Sequence, residues 1–309
     1  MLDLKRLRVL REVAERGSFS AAAESLYVSQ SAISQQISAL ETEVGGPLLL
    51  RLRSGPILTD AGRLLVSHAD AAICRLEQAE RELAELSGMG SGELRLVSFS
   101  SASATVVAAA AARFRDLHPE VRLSLAEAEP EDSIGRLKRG EFDIALAFDF
   151  ELYPFDPDRD LAMTHLLDER MRVALPPGHR LAKRHALRLE ELRDDPWLCG
   201  SSETSCRQLT LRSCERAGFT PDVAYESNDY TVMLALVAAG MGVTLVPDLA
   251  LLIPNPDVPM IEIEPEPPIR RVWVATLEAG SRSNATDAMV EILAEVSSTI
   301  VPEPAALVA

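Results

Sequence analysis

Apolar residues recur at helical spacing through the first 44 positions. Leu4, Leu7, Val9, Leu10, Val13 and Ala14 mark one amphipathic helix, and Gly17-Ser18 closes it. A second helix runs from about 20 to 26, a short turn follows at Tyr27-Val28, and Ser29 stands where a third helix needs its cap. In that third helix Ile33, Ile37, Leu40 and Val44 lie four, three and four residues apart, which predicts one buried face. Gly45-Gly46-Pro47 ends it, and 48–58 reads as two short extended pieces around the turn Ser54-Gly55-Pro56. From 59 to 86 the pattern becomes one long helix. Leu65, Ala69, Ala72, Leu76, Ala79, Leu83 and Leu86 repeat at alternating spacings of four and three. Such a narrow seven-residue stripe seeks a partner helix, so it predicts a homo-oligomer formed through helix 59–86. A hinge of glycine and serine follows at 87–92.

Beyond the hinge the pattern alternates between strand and helix. Strands are predicted at 94–99, 121–126, 142–148, 172–175, 223–226, 243–246 and 272–276. Helices are predicted near 103–117, 133–139, 204–217, 229–239 and 284–298. The alternation implies an α/β fold with mainly parallel strands, in two lobes joined by crossing strands and separated by a cleft. The organisation read from the pattern is an α/β multi-domain chain with three parts. A helical unit with a β-ribbon covers 1–58, a linker helix and hinge cover 59–92, and a two-lobed domain covers 93–309. Lobe I takes about 93–167 and 270–300, and lobe II about 168–269.

The third helix carries an unusual outer face. Opposite its apolar stripe lie Gln30, Ser31, Ser34, Gln35 and Ser38, where an ordinary solvated face would hold Lys and Glu pairs. Two helices joined by a tight turn and followed by a β-ribbon form a winged helix-turn-helix, whose second helix enters the major groove of double-stranded DNA. Glutamine can bond adenine through two hydrogen bonds, and serine can serve donors or acceptors. Ser29 and the helix start suit a phosphate oxygen. Arg51 and Arg53 fall on the wing, where cations meet phosphate or the minor groove. The DNA-binding candidates are therefore Ser29, Gln30, Ser31, Ser34, Gln35, Arg51 and Arg53.

The stretch FSAAAESLYVSQSAISQQISALETEVGGPLLLR, followed by LTDAGRLL, resembles the LysR-type transcriptional regulators. The matching positions include Ala22-Ala23, Leu26, Ser29-Gln30, Ser34, Ile37, Leu40-Glu41, Gly45, Leu48, Arg51, Leu58-Thr59 and Ala61-Gly62. The likeness runs on through the hinge and includes LVAAGMGVTLVPDLAL at 236–251. It implies a winged helix-turn-helix, a linker helix at 59–86 through which the chain forms a dimer or tetramer, and an effector-binding domain resembling periplasmic binding proteins. It also implies operator DNA and a small-molecule effector as partners, and leaves RNA polymerase open as a third. In the two-lobed domain, Ser98, Ser100, Ser101 and Ser103 follow the first strand, where an anionic ligand would find N–H donors. The family's effector cavity is lined by the matching segment and by the start of a lobe II helix, here 201–205. The effector-binding candidates are Ser100, Ser101, Ser103, Thr204, Ser205 and Asp229. Where some relatives carry a threonine after the second strand, this chain has Pro130.

Charge and composition modify this picture little. The chain of 309 residues carries −16, but residues 1–65 hold eight Lys/Arg against seven Asp/Glu, so the acid lies outside the DNA-reading segment. No apolar run reaches the roughly 18 residues of a membrane span, and the first twenty residues mix charge into every turn. Together these predict a cytoplasmic protein. Cys74, Cys199, Cys206 and Cys214 read as free thiols. Cys206 and Cys214 lie two helical turns apart, roughly 12 Å at 1.5 Å per residue, too far for a disulfide within an intact helix. Redox activity of Cys199, Cys206 or Cys214 is left open at this point. The five histidines (68, 118, 165, 179 and 185) are scattered, and GMGSG at 88–92 follows a helix and lacks a dinucleotide-binding spacing. No enzymatic activity, cofactor or metal is expected. A solute-binding protein is the rival that two lobes suggest, and the DNA-reading segment argues against it.

Overall fold

The computed structural model describes residues 2–52, 55–86, 92–154, 161–253, 257–278 and 282–300. The chain divides into two compact units, Met1–Gly90 and Ser91–Ala309. No helix among the described residues is long and apolar enough to cross a membrane.

In the first unit, helices α1 (Leu4–Arg16), α2 (Phe19–Ser25) and α3 (Gln30–Val44) precede strands β1 (Leu49–Leu52) and β2 (Gly55–Leu58) and helix α4 (Asp60–Leu86). Each of the first three starts on a side-chain cap. Asp3 accepts from Lys5 N at 2.8 Å, Ser18 from Ala21 N at 3.4 Å and Ser29 from Ala32 N at 3.2 Å. Gly17 and Gly45 end α1 and α3 in the left-handed conformation, where only glycine is unstrained. Leu10, Val13, Ile33, Ile37, Leu40 and Leu48 fill one core. Each of the larger ones contributes about 1.5–3 kcal/mol by leaving water. Val44, predicted to share that face, is 42% exposed, because it is the last residue of α3 and projects past the core.

Two devices fix the wing. The Glu41 carboxylate accepts from the N–H groups of Leu48 and Leu49 at 2.9 and 3.3 Å, tying the ribbon to α3. Thr59 donates to Pro47 O and accepts from Gly62 N. A Cβ on Gly62 would stand 2.1 Å from Leu48 O, so the turn into α4 admits only glycine.

The second unit opens with β3 (Glu93–Ser98), the short α5 (Ser100–Ala102), a π-turn at Ser103–Val107 and α6 (Ala108–Leu117). Then come β4 (Arg122–Glu127), α7 (Pro130–Lys138), β5 (Ile144–Phe150), β6 (Leu161–Ala174), β7 (Ala186–Leu187) and β8 (Pro196–Cys199). The remainder is α8 (Ser205–Arg216), β9 (Asp222–Glu226), α9 (Tyr230–Ala238), β10 (Thr244–Pro247), α10 (Asp248–Leu251), β11 (Met260–Ile263), β12 (Ile269–Leu277) and α11 (Asn284–Ile300).

Lobe I is a sheet ordered β4-β3-β5-β12-β6, and lobe II gathers β10, β11 and β7 around the far end of β6. The parallel β8–β9 pair joins lobe II through a Trp197–Val243 bridge. β5 is buried along its whole length because its two faces enter separate cores, Ile144, Leu146, Phe148 and Phe150 in one and Ala145 and Ala147 in the other. The expectation of mainly parallel strands is corrected at the centre. β12 runs antiparallel to both β5 and β6, and β6 antiparallel to β10 and β11. The reason is connectivity: β6 carries the chain out of lobe I and β12 brings it back, so the two must point in opposite directions. The segment predicted as a strand at 172–175 is the end of the 14-residue β6. The short strands β7, β8 and β11 were not predicted.

Candidate nucleic-acid interface and ligand cleft

The outer face of α3 is solvent-exposed at Ser29, Gln30, Ser31 and Gln35, and half-buried at Ser34. Ser31, Ser34, Gln35 and Ser38 follow i, i+3, i+4, i+7, a stripe opposite Ile33, Ile37 and Leu40. Ser29 Oγ, besides capping α3, lies 2.9 Å from Ser31 Oγ. The face thus offers neutral donors and acceptors beside the free N–H groups of a helix start, which suits base edges and a phosphate. Tyr27, read from the sequence only as part of a turn, is 96% exposed immediately before this helix and has φ +54°. Arg51 occupies β1 opposite Pro56. Arg53 and the side chain of Arg51 lie outside the described residues.

The stripe of α4 divides. Ala69 and Ile73 are buried in the first unit's own core and Leu65 packs against it, while Leu76 and Leu83 are 47% and 66% exposed. Ile73 was absent from the predicted stripe, because the face turned to the unit's own core is rotated from the seven-residue seam. Leu86 belongs to α4, but its side chain, like that of Cys74, lies outside the described residues.

In the second unit a cavity of about 20 Å³ lies between the lobes, room for a water or two. Phe99, Ser100, Ser101, Glu129 and Phe148 line it from lobe I. Gly200, Cys206, Asn228 and Tyr230 face them. Arg270 also lines it and is 1% exposed. Its guanidinium meets the Glu169 carboxylate at 2.6 Å, donates to Ser101 Oγ at 2.9 Å and lies about 5 Å from the ring centres of Phe99 and Phe148. Arg270 and Glu169 are cross-strand neighbours on β12 and β6. Burial pushes the Glu169 carboxyl up, while Arg270 and the N–H of Leu249, 2.7 Å away, favour its charge. Glu129 is pushed from its ordinary 4.5 up to about 7, first by burial and then by the neighbouring Glu131 carboxylate.

Of the predicted effector-binding residues, Ser100 and Ser101 line this cavity; Ser103 lies one residue past α5, in the π-turn. Thr204 and Ser205 serve the α8 start rather than the cavity wall. Thr204 caps α8 by accepting from Arg207 N, and Ser205 N donates to Glu131 Oε1 of α7 at 2.6 Å, a hydrogen bond from lobe II to lobe I. Ser205 Oγ is buried without a hydrogen-bond partner. Asp229 is exposed and caps α9 at Thr231 N, and its neighbour Asn228 takes the place in the cavity. Sequence reasoning missed Arg270, Glu129 and Tyr230. The pair Arg270-Arg271 inside an otherwise apolar strand was the available signal for the first.

Cys199, Cys206 and Cys214 are free thiols. Cys199 and Cys214 are buried, and burial holds Cys199, Cys206 and Cys214 protonated, pushed up to about 11, 12 and 12. Cys206 Sγ sits 3.8 Å from the Tyr230 hydroxyl. Among the described residues no group of histidines, cysteines and carboxylates could hold a metal ion.

Comparison with known proteins identifies both units. The model of the bacterial regulatory helix-turn-helix protein, lysR family, matches residues 4–63, and that of the LysR substrate binding domain matches 87–298. The HTH-type transcriptional regulator AlsR of Bacillus subtilis is 31% identical over 260 residues, covering 83% of this chain and 84% of the relative. The transcriptional dual regulator GltC of the same organism is 30% identical over 248 residues, 80% and 81% of the two chains. The crystal structure of full-length CbnR complexed with its target DNA shares the fold, at TM-score 0.69 and 22% identity over 96% of this chain and all of that one. With both family models matched and a relative above 30% identity along most of its length, the chain belongs to the LysR family of transcriptional regulators.

Proposed function

We propose that α3 reads a dyad-symmetric operator through Gln30, Ser31, Ser34 and Gln35, with Ser29 at a phosphate and Arg51 and Arg53 on the flanking backbone. The observation that carries this reading is the exposed stripe of uncharged hydrogen-bonding side chains on a helix whose other face is locked in a core. Residues 1–58 form the DNA-binding domain, 59–92 the linker and 93–309 the effector-binding domain. The exposed Leu76 and Leu83 support pairing of two chains along α4, as a dimer or within a tetramer. A small-molecule effector occupies the interlobe cavity against Ser100, Ser101 and Arg270, and opens it from its present size by separating Glu131 from Ser205. The changed lobe angle re-spaces the paired recognition helices, provided the effector binds one arrangement better than the other. The protein works in the cytoplasm, where operator DNA and RNA polymerase are available. Footprinting on the DNA upstream of its own gene tests the reading. Protection over a dyad is expected, with Gln30→Ala or Gln35→Ala costing about 1–3 kcal/mol of affinity while the melting temperature stays unchanged. Unaltered protection with both variants overturns it.

A further inference from the structure

A second recess, of about 230 Å³, lies in the effector-binding unit away from the interlobe cavity. An engineered apolar cavity of about 150 Å³ already admits benzene. Leu189, Leu209, Ala217, Ile263 and Ile269 supply its apolar lining. Ser213 also lines it, 4% exposed, with an Oγ that has no hydrogen-bond partner. An orphaned buried hydroxyl carries a desolvation penalty that a ligand's polar atom would remove.

The rim decides the kind of ligand. Arg188 is held by Glu190 at 2.8 Å, and Arg216 lies 3.8 Å from Glu266. Glu151 and Glu264 also line the recess and have no ion pair among the described residues. Four carboxylates against two guanidiniums leave a surplus of negative charge around an apolar floor. We propose that this recess is a second ligand site, for a small amine with an aliphatic or aromatic body, its ammonium against Glu151 and Glu264 and a polar atom at Ser213.

The recess backs onto the cleft. Ile269 lines the recess and Arg270, the next residue of β12, lines the cleft, as alternation along a strand dictates. Cys206, Leu209, Ser213 and Arg216 follow helical spacing down one side of α8, the first in the cleft and the rest in the recess. An occupant therefore touches the two elements that also wall the effector cavity.

Titration calorimetry on the full-length protein tests the site with three probes of one shape: 2-phenylethylamine, 2-phenylethanol and 3-phenylpropionate. The ammonium is expected to bind at least about threefold more tightly than the alcohol, and the anion weakest of all. Glu264→Gln, an exposed change that leaves packing alone, should weaken the amine by about threefold to fivefold and leave the alcohol unchanged. Ala217→Phe should abolish both by filling the floor, with a thermal melt to show that it folds. Equal or tighter binding of the anion overturns the ligand class. Absence of binding by any probe, or binding indifferent to Glu264→Gln, overturns the site.

Discussion

Glu129 makes the effector-binding unit sensitive to pH in a way that can be worked through. Its carboxyl is pushed from 4.5 up to about 7 by burial and by Glu131, with Glu127 adding to the rise and Arg270 opposing it. At 1.36 kcal/mol per tenfold, a rise of about 2.5 corresponds to about 3 kcal/mol for carrying the charge in the folded state. The folded value lies above the unfolded one. Between about 4.5 and 7 the folded protein keeps a proton that the unfolded chain releases, so stability falls as pH climbs through that window and levels off above it. Glu129→Gln removes this dependence. Thermal melts of both proteins at pH 5, 6, 7 and 8 should show the wild type losing about 5–10 °C relative to the variant between pH 5 and 8. The difference between the two cancels contributions from the histidines and the other carboxylates. Parallel profiles for wild type and variant would refute the reasoning, since the charge would then be solvated or paired.

Three further outcomes follow from named contacts. Gly62→Ala places a methyl 2.1 Å from Leu48 O and should destabilise the first unit by more than about 2 kcal/mol, abolishing DNA retention while the second unit's melt is unchanged. Arg270→Met strands the Glu169 carboxylate in the interior and should cost about 3–5 kcal/mol, much of it restored by adding Glu169→Gln, as denaturant titration would show. Leu76→Lys with Leu83→Lys puts charge on the exposed α4 seam, so sedimentation should show smaller assemblies without loss of helix content.

The elements easiest to see in the sequence were those whose surroundings stay constant along their length. α3 sits on one core, so Ile33, Ile37 and Leu40 betrayed it, and the polar stripe opposite pointed to DNA. β6 was hard to see because its neighbours change as it passes from lobe I to lobe II. Its first ten residues, LAMTHLLDER, alternate poorly, and only the last four look like a buried strand. The seven-residue stripe of α4 was visible, but Ala69 also faces the first unit's own core, a double duty that periodicity cannot separate. In the cleft, the serines of the β3–α5 junction were found by their clustering. Arg270 and Glu169 were not, because a charge in a sequence reads as surface until the register of two strands 101 residues apart brings them together.

That same register has a consequence for how the chain is made. β12 is synthesised after β5, β6 and every strand of lobe II, yet it lies between β5 and β6 in the middle of the sheet. Until residues 269–277 have left the ribosome, β5 presents an unpaired edge, the partner of Glu169 is missing, and lobe I is a sheet with its central strand absent. Lobe II, whose strands β7 to β11 are already available, can organise around the end of β6 first. A nascent chain stalled before 269 would carry an apolar, ladder-ready edge at IALAFDF, the kind of surface that recruits chaperones or other unfinished copies. The ligand cavity thus matures only after lobe II has been made, and a truncation just before β12 would leave it without Arg270.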